Sequence, residues 1–265
     1  MTEGPATTAG ARGVLSWLLL PLAAATLVAA VAVSWARGVL FDPAGFAATA
    51  LPALEGEAWE AALRETPREL GQIEQELDPA GGTWVAEDGP AYLDRVHAVL
   101  VRGRKEDPTV SLRWVPSAPQ PATEPRAVDV VVDVALPRAT ALPALEELDA
   151  ETQPMPYLLL AAAFLLALAG VRLAPDRGEA AGRFVLLATV LAALAAVYVG
   201  WGAGWGGTAA ARPAEAAWIE HGGSLLRASL RSRLLIVAVA GGLLLLLRWR
   251  VLRNAREAGE LEATA

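Results

Sequence analysis

Residues 157–205 read YLLLAAAFLLALAGVRLAPDRGEAAGRFVLLATVLAALAAVYVGWGAGW. Two apolar runs, Tyr157–Leu173 and Phe184–Trp205, flank a short polar connection. At about 1.5 Å per helical residue, each run can cross roughly 30 Å of hydrocarbon, the first only just. The connection holds Arg172, Pro175, Arg177, Gly178 and Arg183. Arginines in a short loop mark the cytoplasmic side of a membrane, so this hairpin sets the topology of the whole chain.

Composition agrees with that reading. The chain is 54% apolar and 19% charged, whereas soluble proteins average about 45–50% and 25%. The excess falls in four blocks: Val14–Trp35, the two runs above, and Leu234–Leu247 with its flanks. Between the first two blocks lies the one polar stretch long enough to fold alone. It holds 21 acidic and 10 basic residues over Arg37–Met155. Phosphate recognition needs clustered Lys and Arg, so this balance argues against nucleic acid as a partner. The absence of cysteine excludes disulfides, thiolate catalysis and Cys-ligated metal.

The expected fold class is an α-helical integral membrane protein with four transmembrane helices and an extracytoplasmic α+β domain. The expected boundaries are a cytoplasmic N-terminus over 1–13, a first span over 14–36, and the outer domain over 37–155. A second span over 156–173 and a cytoplasmic turn over 174–183 follow. Then come a third span over 184–205, an outer loop over 206–224, a fourth span over 225–248 and a cytoplasmic tail over 249–265. The rival for the first span is a cleaved signal peptide, whose apolar region runs about 7–15 residues; this run is longer, which favours an anchor. Leu234–Leu247 covers only about 21 Å, so the fourth span must borrow Leu225–Leu230 while Arg231 and Arg233 snorkel. Ser224 reads as its N-cap, and Pro213–Glu220 as one or two helical turns lying on the surface. With both termini inside, eight arginines near the spans are cytoplasmic and five are outside. The expected location is the cell inner (cytoplasmic) membrane. In the third span Ala188, Ala192, Ala196, Gly200 and Gly204 recur every four residues, forming a ridge suited to close helix contact.

Within the outer domain, Asp42-Pro43 is an N-cap with proline at the first helical position. Phe46, Ala50, Leu51 and Leu54 follow near helical spacing, and Pro52 opens or kinks the next piece. Thr66–Glu69 fits a capping box, with Leu70, Ile73 and Leu77 on the apolar face of its helix. Tyr92–Val101 reads as a helix, with a partial strand as the alternative. Thr109–Val115 and Ala127–Leu136 alternate polar and apolar residues, which predicts an antiparallel strand pair packed on helices. Leu142–Leu148 is expected to be a last helix.

The exit from the first span, Val39-Leu40-Phe41-Asp42-Pro43-Ala44-Gly45-Phe46 followed by Leu51-Pro52-Ala53-Leu54, resembles a loose group of multi-pass membrane proteins of high-GC bacteria. Those proteins carry one span, an outer domain and a three-span C-terminal block. The resemblance implies the same layout here. Thr109–Leu136 departs from the mainly helical outer domain of that group, and the resemblance brings no catalytic residue with it.

No residue forms a convincing catalytic, cofactor-binding or metal set. The interiors of the spans lack Asp, Glu, Lys and His, the groups with which pumps mark their pathway. Gly200, Gly202, Gly204 and Gly206 could line an unwound stretch, but a close-packed helix end explains them better. His221-Gly222-Gly223-Ser224 lacks the Gly-x-Ser-x-Gly elbow an esterase requires, and reads as a turn plus cap. A metal site would need His97 and His221 together with carboxylates. Asp129 and Asp133 sit about 13 Å apart along one strand, too far for paired carboxyls. Glu74, Glu76 and Asp78 lack calcium-loop spacing. Trp84 and Trp114 could line a groove, but core packing is the commoner role for such tryptophans. The expected function is therefore non-enzymatic: an envelope protein whose outer domain binds a protein partner or supports assembly of a complex. An accessory subunit of a transport system is the alternative, and a membrane-anchored enzyme the third. The expected partners are membrane lipid and an envelope protein, and no cofactor is expected.

Overall fold

The computed structural model describes residues 6–55, 59, 82–102, 109–116, 131–135, 152–201 and 213–263. In chain order these form α1 (Ala6–Trp35), a π-helical turn (Ala36–Phe41), α2 (Pro43–Ala50) and a 3-10 turn (Leu51–Leu54). Next come β1 (Gly82–Ala86), α3 (Gly89–Arg102), β2 (Thr109–Pro116) and β3 (Val131–Ala135). The C-terminal half consists of α4 (Met155–Leu173), α5 (Arg177–Trp201) and α6 (Pro213–Ala263). Four segments are long and apolar enough to cross a membrane: Arg12–Phe41, Met155–Leu173, Arg177–Trp201 and Glu220–Ala255. The chain divides into two compact units.

The first unit gathers Met1–Trp35, Thr152–Gly202 and Leu230–Ala265. Helix α1 packs along α4 and against α5. Ser16 Oγ donates to the Gly170 carbonyl at 2.8 Å, and a Cβ on Gly170 would press on Leu20. These two contacts bring the N-terminal half of α1 beside the C-terminal end of α4. Ala23 and Ala24 of α1 and Ala192 and Ala196 of α5 are fully buried, at 0% exposure, and Ala188 is buried as well. The small-residue ridge of α5 is thus a packing face. It opens at Gly200, which is exposed, and Gly204 lies outside the described residues.

Helix α6 runs antiparallel to α5. Arg248 rests on Gly182, Gly241 receives Thr189, and the Arg231 guanidinium comes within van der Waals reach of Gly200. The expected turn over 174–183 is corrected by this geometry. Asp176 caps α5 by accepting the Glu179 N–H at 2.9 Å, so the helix begins at Arg177 and carries both Arg177 and Arg183. The first apolar span is also longer than expected, because helical structure continues through the π-turn to Phe41. The expected break before the last span is corrected too. Pro213–Ala263 is a single helix of 51 residues, and Ser224 is no cap. Its hydroxyl donates back to the His221 carbonyl at 2.7 Å. Gly222 and Gly223 each cost about 1 kcal/mol relative to Ala in a helix. Packing offsets this where Gly222 lies against Ala53 and Leu226 against the core of the second unit.

The second unit gathers Ala36–Glu151 and Ala203–Ser229. Its sheet has strand order β1-β2-β3, antiparallel throughout. The expected pair is present, with β3 confined to Val131–Ala135, and β1 adds a strand that periodicity did not mark. Tyr92–Val101 is helical, as part of α3. The core joins Phe46 and Ala50 of α2, Leu54 of the 3-10 turn, Trp59, three residues of α3 (Tyr92, Leu93 and Val96), and Val110 and Leu112 of β2. Val110 and Leu112 face the core as the alternation of β2 requires, both at 0% exposure. The expected helices over 66–77 and 142–148 lie outside the described residues.

Exposed side chains tolerate change where packed ones do not. In the detergent-solubilised chain, Ala196→Leu should lower stability by about 1–3 kcal/mol through overpacking, while half-buried Ala195→Leu changes little. Thermal unfolding of the two variants checks this; equal midpoints would mean the ridge carries no packing.

Candidate functional site

Two polar constellations are built on these units. In the second unit, the β1–α3 connection ends at Asp88, directly before α3. Asp88 Oδ1 accepts the Ser111 N–H at 2.9 Å, and Oδ2 accepts from Arg95, about two helical turns further on. Arg95 also donates from Nη2 to the Thr109 carbonyl at 2.7 Å. Beside them Glu87 pairs with Arg113 and donates its N–H to the Ser111 carbonyl at 2.9 Å. Strand β2 is therefore fastened to the start of α3 by side chains as well as by its ladder. Burial alone would raise the Asp88 pKa, but the hydrogen bonds from Arg95 and Ser111 outweigh it and hold the carboxyl below its ordinary value. Tyr92, fully buried, has its phenol pushed up by desolvation.

His97 lies on the opposite side of α3, buried at 1% exposure. Its Nε2 is 2.9 Å from the Leu40 carbonyl. A carbonyl only accepts, so Nε2 carries the proton and donates. The Phe46 ring packs on the imidazole with centroids 5.4 Å apart. His97 thus ties α3 to the π-turn and acts as a core histidine. His221 sits inside α6, half-buried. Among the described residues, no three His, Cys, Asp or Glu side chains converge as metal ligands would. Trp84 and Trp114 are register partners on β1 and β2, and Asp133 is opposite Ser111 on β3. Asp129, Glu74, Glu76 and Asp78 lie outside the described residues.

The second constellation is a cleft of about 470 Å³ in the helical unit, where the N-terminal part of α1 meets the α4–α5 connection and the start of α5. Trp17, Leu20, Pro21, Leu186 and Leu187 supply its apolar wall, and Asp176, Glu179 and Arg183 its polar rim. Arg183 donates to Glu179 Oε1 at 2.6 Å. Its guanidinium also lies over the Trp17 ring, 5.8 Å from the centroid. Pro21 has no N–H, so the Trp17 carbonyl one turn earlier loses its helical donor. Sequence reading missed this cleft because its walls come from segments some 150 residues apart. The Asp88–Arg95 pair did leave a signal: opposite charges seven residues apart share one helical face.

The chain matches no protein-family model, no curated protein and no solved structure. The resemblance carried by Val39–Phe46 and Leu51–Leu54 therefore rests on those residues alone.

Acid should weaken the Asp88 fastening. A carboxyl lowered in the folded state contributes stability above its unfolded value of 3.8 and loses it as pH falls through the folded value. Asp88→Asn should cost about 1 kcal/mol at neutral pH, the low end for a charged hydrogen bond because Arg95 is 42% exposed. The same variant should flatten the acid limb of a melting-temperature profile. An unchanged acid limb would mean that Asp88 is not the linked group.

Proposed function

We propose that this chain is a non-enzymatic integral membrane protein of the bacterial cell envelope. In this reading four helices cross the cytoplasmic membrane, both termini are cytoplasmic, and the α+β unit stands outside. That unit binds a protein partner or supports assembly of a complex. The observation that carries the non-enzymatic reading is that, among the described residues, three polar contacts hold one element to the next. Asp88 with Arg95, Glu87 with Arg113, and His97 with the Leu40 carbonyl each hold one element to the next. Groups so engaged serve architecture, and a small folded unit of this kind suits recognition.

The orientation is supported by where the arginines fall. Arg12, Arg172, Arg177, Arg183, Arg248, Arg250 and Arg253 all belong to the end of the helical unit where α1 starts and α4 finishes. Arg231 and Arg233 lie toward the other end. Arg37 and Arg227 also fall on the outer side in this reading, and seven against four favours the first end as cytoplasmic. Exposed aromatic side chains mark both ends: Trp17 and Trp249 at one, Tyr157, Tyr198 and Trp201 at the other. Arg183 to Trp201 along α5 and Arg231 to Trp249 along α6 each cover about 27 Å, close to the hydrocarbon thickness.

The absence of cysteine makes the orientation directly testable. Ala91→Cys, at an exposed position on α3, should react in intact cells with a membrane-impermeant thiol reagent. Gly178→Cys and Ala255→Cys, also exposed, should react only after the membrane is opened. The reverse pattern would invert the topology. A photo-crosslinking residue at position 91 should capture one discrete envelope protein from intact membranes. Substrate turnover by the purified chain, with no such adduct, would replace the binding role with an enzymatic one.

A further inference from the structure

We propose that the cleft beside Trp17 and Arg183 is a headgroup site for one aminophospholipid, a lipid carrying both a primary ammonium and a phosphodiester. The inference rests on the membrane reading above and goes beyond it by naming the ligand class. Three observations carry it. The first is shape and depth. The cleft, about 470 Å³, is within the range of small-molecule sites. It opens at the end of the helices where Trp17 and Arg183 stack, and indoles and arginines settle at headgroup level.

The second observation is charge. Two carboxylates and one guanidinium form the rim, a balance of one negative charge. Within the cleft itself an anionic headgroup meets two carboxylates against one guanidinium, so any preference for it must come from the arginines outside the lining. A zwitterion with an ammonium meets both signs. Asp176 spends Oδ1 on the Glu179 N–H, and Glu179 spends Oε1 on Arg183. Each keeps its second oxygen for an N–H donor, and a carboxylate has lone pairs for several. The Arg183 guanidinium, with five donors, can serve Glu179 and a phosphodiester together.

The third observation is Pro21. Pro21 withholds an N–H from the Trp17 carbonyl, and both residues line the cleft, so the helix backbone offers one acceptor more than a regular helix would in this stretch. Below the rim, Trp17, Leu20 and Leu187 form the apolar wall that the first carbons of an acyl chain would cover.

The test is native mass spectrometry of the full chain, extracted from membranes and equilibrated with phosphatidylethanolamine, phosphatidylglycerol or phosphatidylcholine. Retention of one phosphatidylethanolamine, roughly fivefold over each of the other two, is expected for charge-assisted hydrogen bonds at a half-exposed rim. Phosphatidylcholine separates a hydrogen-bonding ammonium from a merely cationic one. Asp176→Asn with Glu179→Gln removes the charges while asparagine still caps α5; the preference should then fall to about parity. Leu187→Trp should fill the cleft and abolish retention. Equal or stronger retention of phosphatidylglycerol by the unaltered chain overturns the proposal, as does no retention of any lipid. If the variants do not fold, the three-lipid comparison on the unaltered chain decides. Recovery of the chain from the soluble fraction would instead remove the membrane reading itself.

Discussion

A hydrocarbon environment is as apolar as a leucine side chain, so helices within it gain little by hiding leucine from it. What they gain comes from close backbone approach, and this unit places small residues where that approach occurs. Gly170 receives Leu20, Gly182 receives Arg248, and Gly241 receives Thr189. Alanines at 23, 24, 192 and 196 complete the buried faces. The large residues are turned the other way: Leu158, Phe164, Leu194, Ile236 and Leu243 are exposed. This inside-out distribution, small within and large without, is what packing in lipid asks for. The same distribution in water would expose an apolar surface far beyond a soluble monomer's usual patches.

The exit from α1 solves a different problem. The π-turn closes with the Asp42 N–H donating to the Arg37 carbonyl at 3.1 Å, one residue wider than an α-helical bond. The Leu40 carbonyl is there taken up by His97. Asp42 then caps α2 through the Gly45 N–H at 3.0 Å. Gly45 is required because any Cβ would overlap the Gly38 carbonyl oxygen. Asp42, Pro43 and Gly45 therefore each have a mechanical reason. The stretch Val39–Phe46 is thus accounted for by a local π-turn, a cap and one close backbone approach, which unrelated proteins can share.

Sequence periodicity made much of this legible. The apolar runs, the Asp42-Pro43 cap, the α3 face and the alternation of β2 are local patterns with one physical reading each. The misses were non-local. Gly82–Ala86 has too few alternating positions to declare itself, and becomes β1 by pairing with β2. Gly222-Gly223-Ser224 has every local mark of a helix start, yet the helix runs through it, with Gly222 against Ala53 and Leu226 against the core. Helix α5 starts earlier than its arginines suggest: charges typical of a loop lie inside the helix because Asp176 caps it ahead of Arg177. The cleft was invisible for a related reason: its rim and its wall are assembled from distant segments.

The central claim is that α6 crosses hydrocarbon between Arg231 and Trp249. Spin labels placed singly along its exposed face, at 231, 236, 239, 243, 246 and 249, report depth by their relative accessibility to oxygen and to a water-soluble nickel chelate in bilayers. The account predicts that oxygen accessibility peaks near Val239 and Leu243 and that chelate accessibility dominates at both ends. Uniform chelate access along the series would contradict it, because a helix bathed in water along its length cannot be a membrane span.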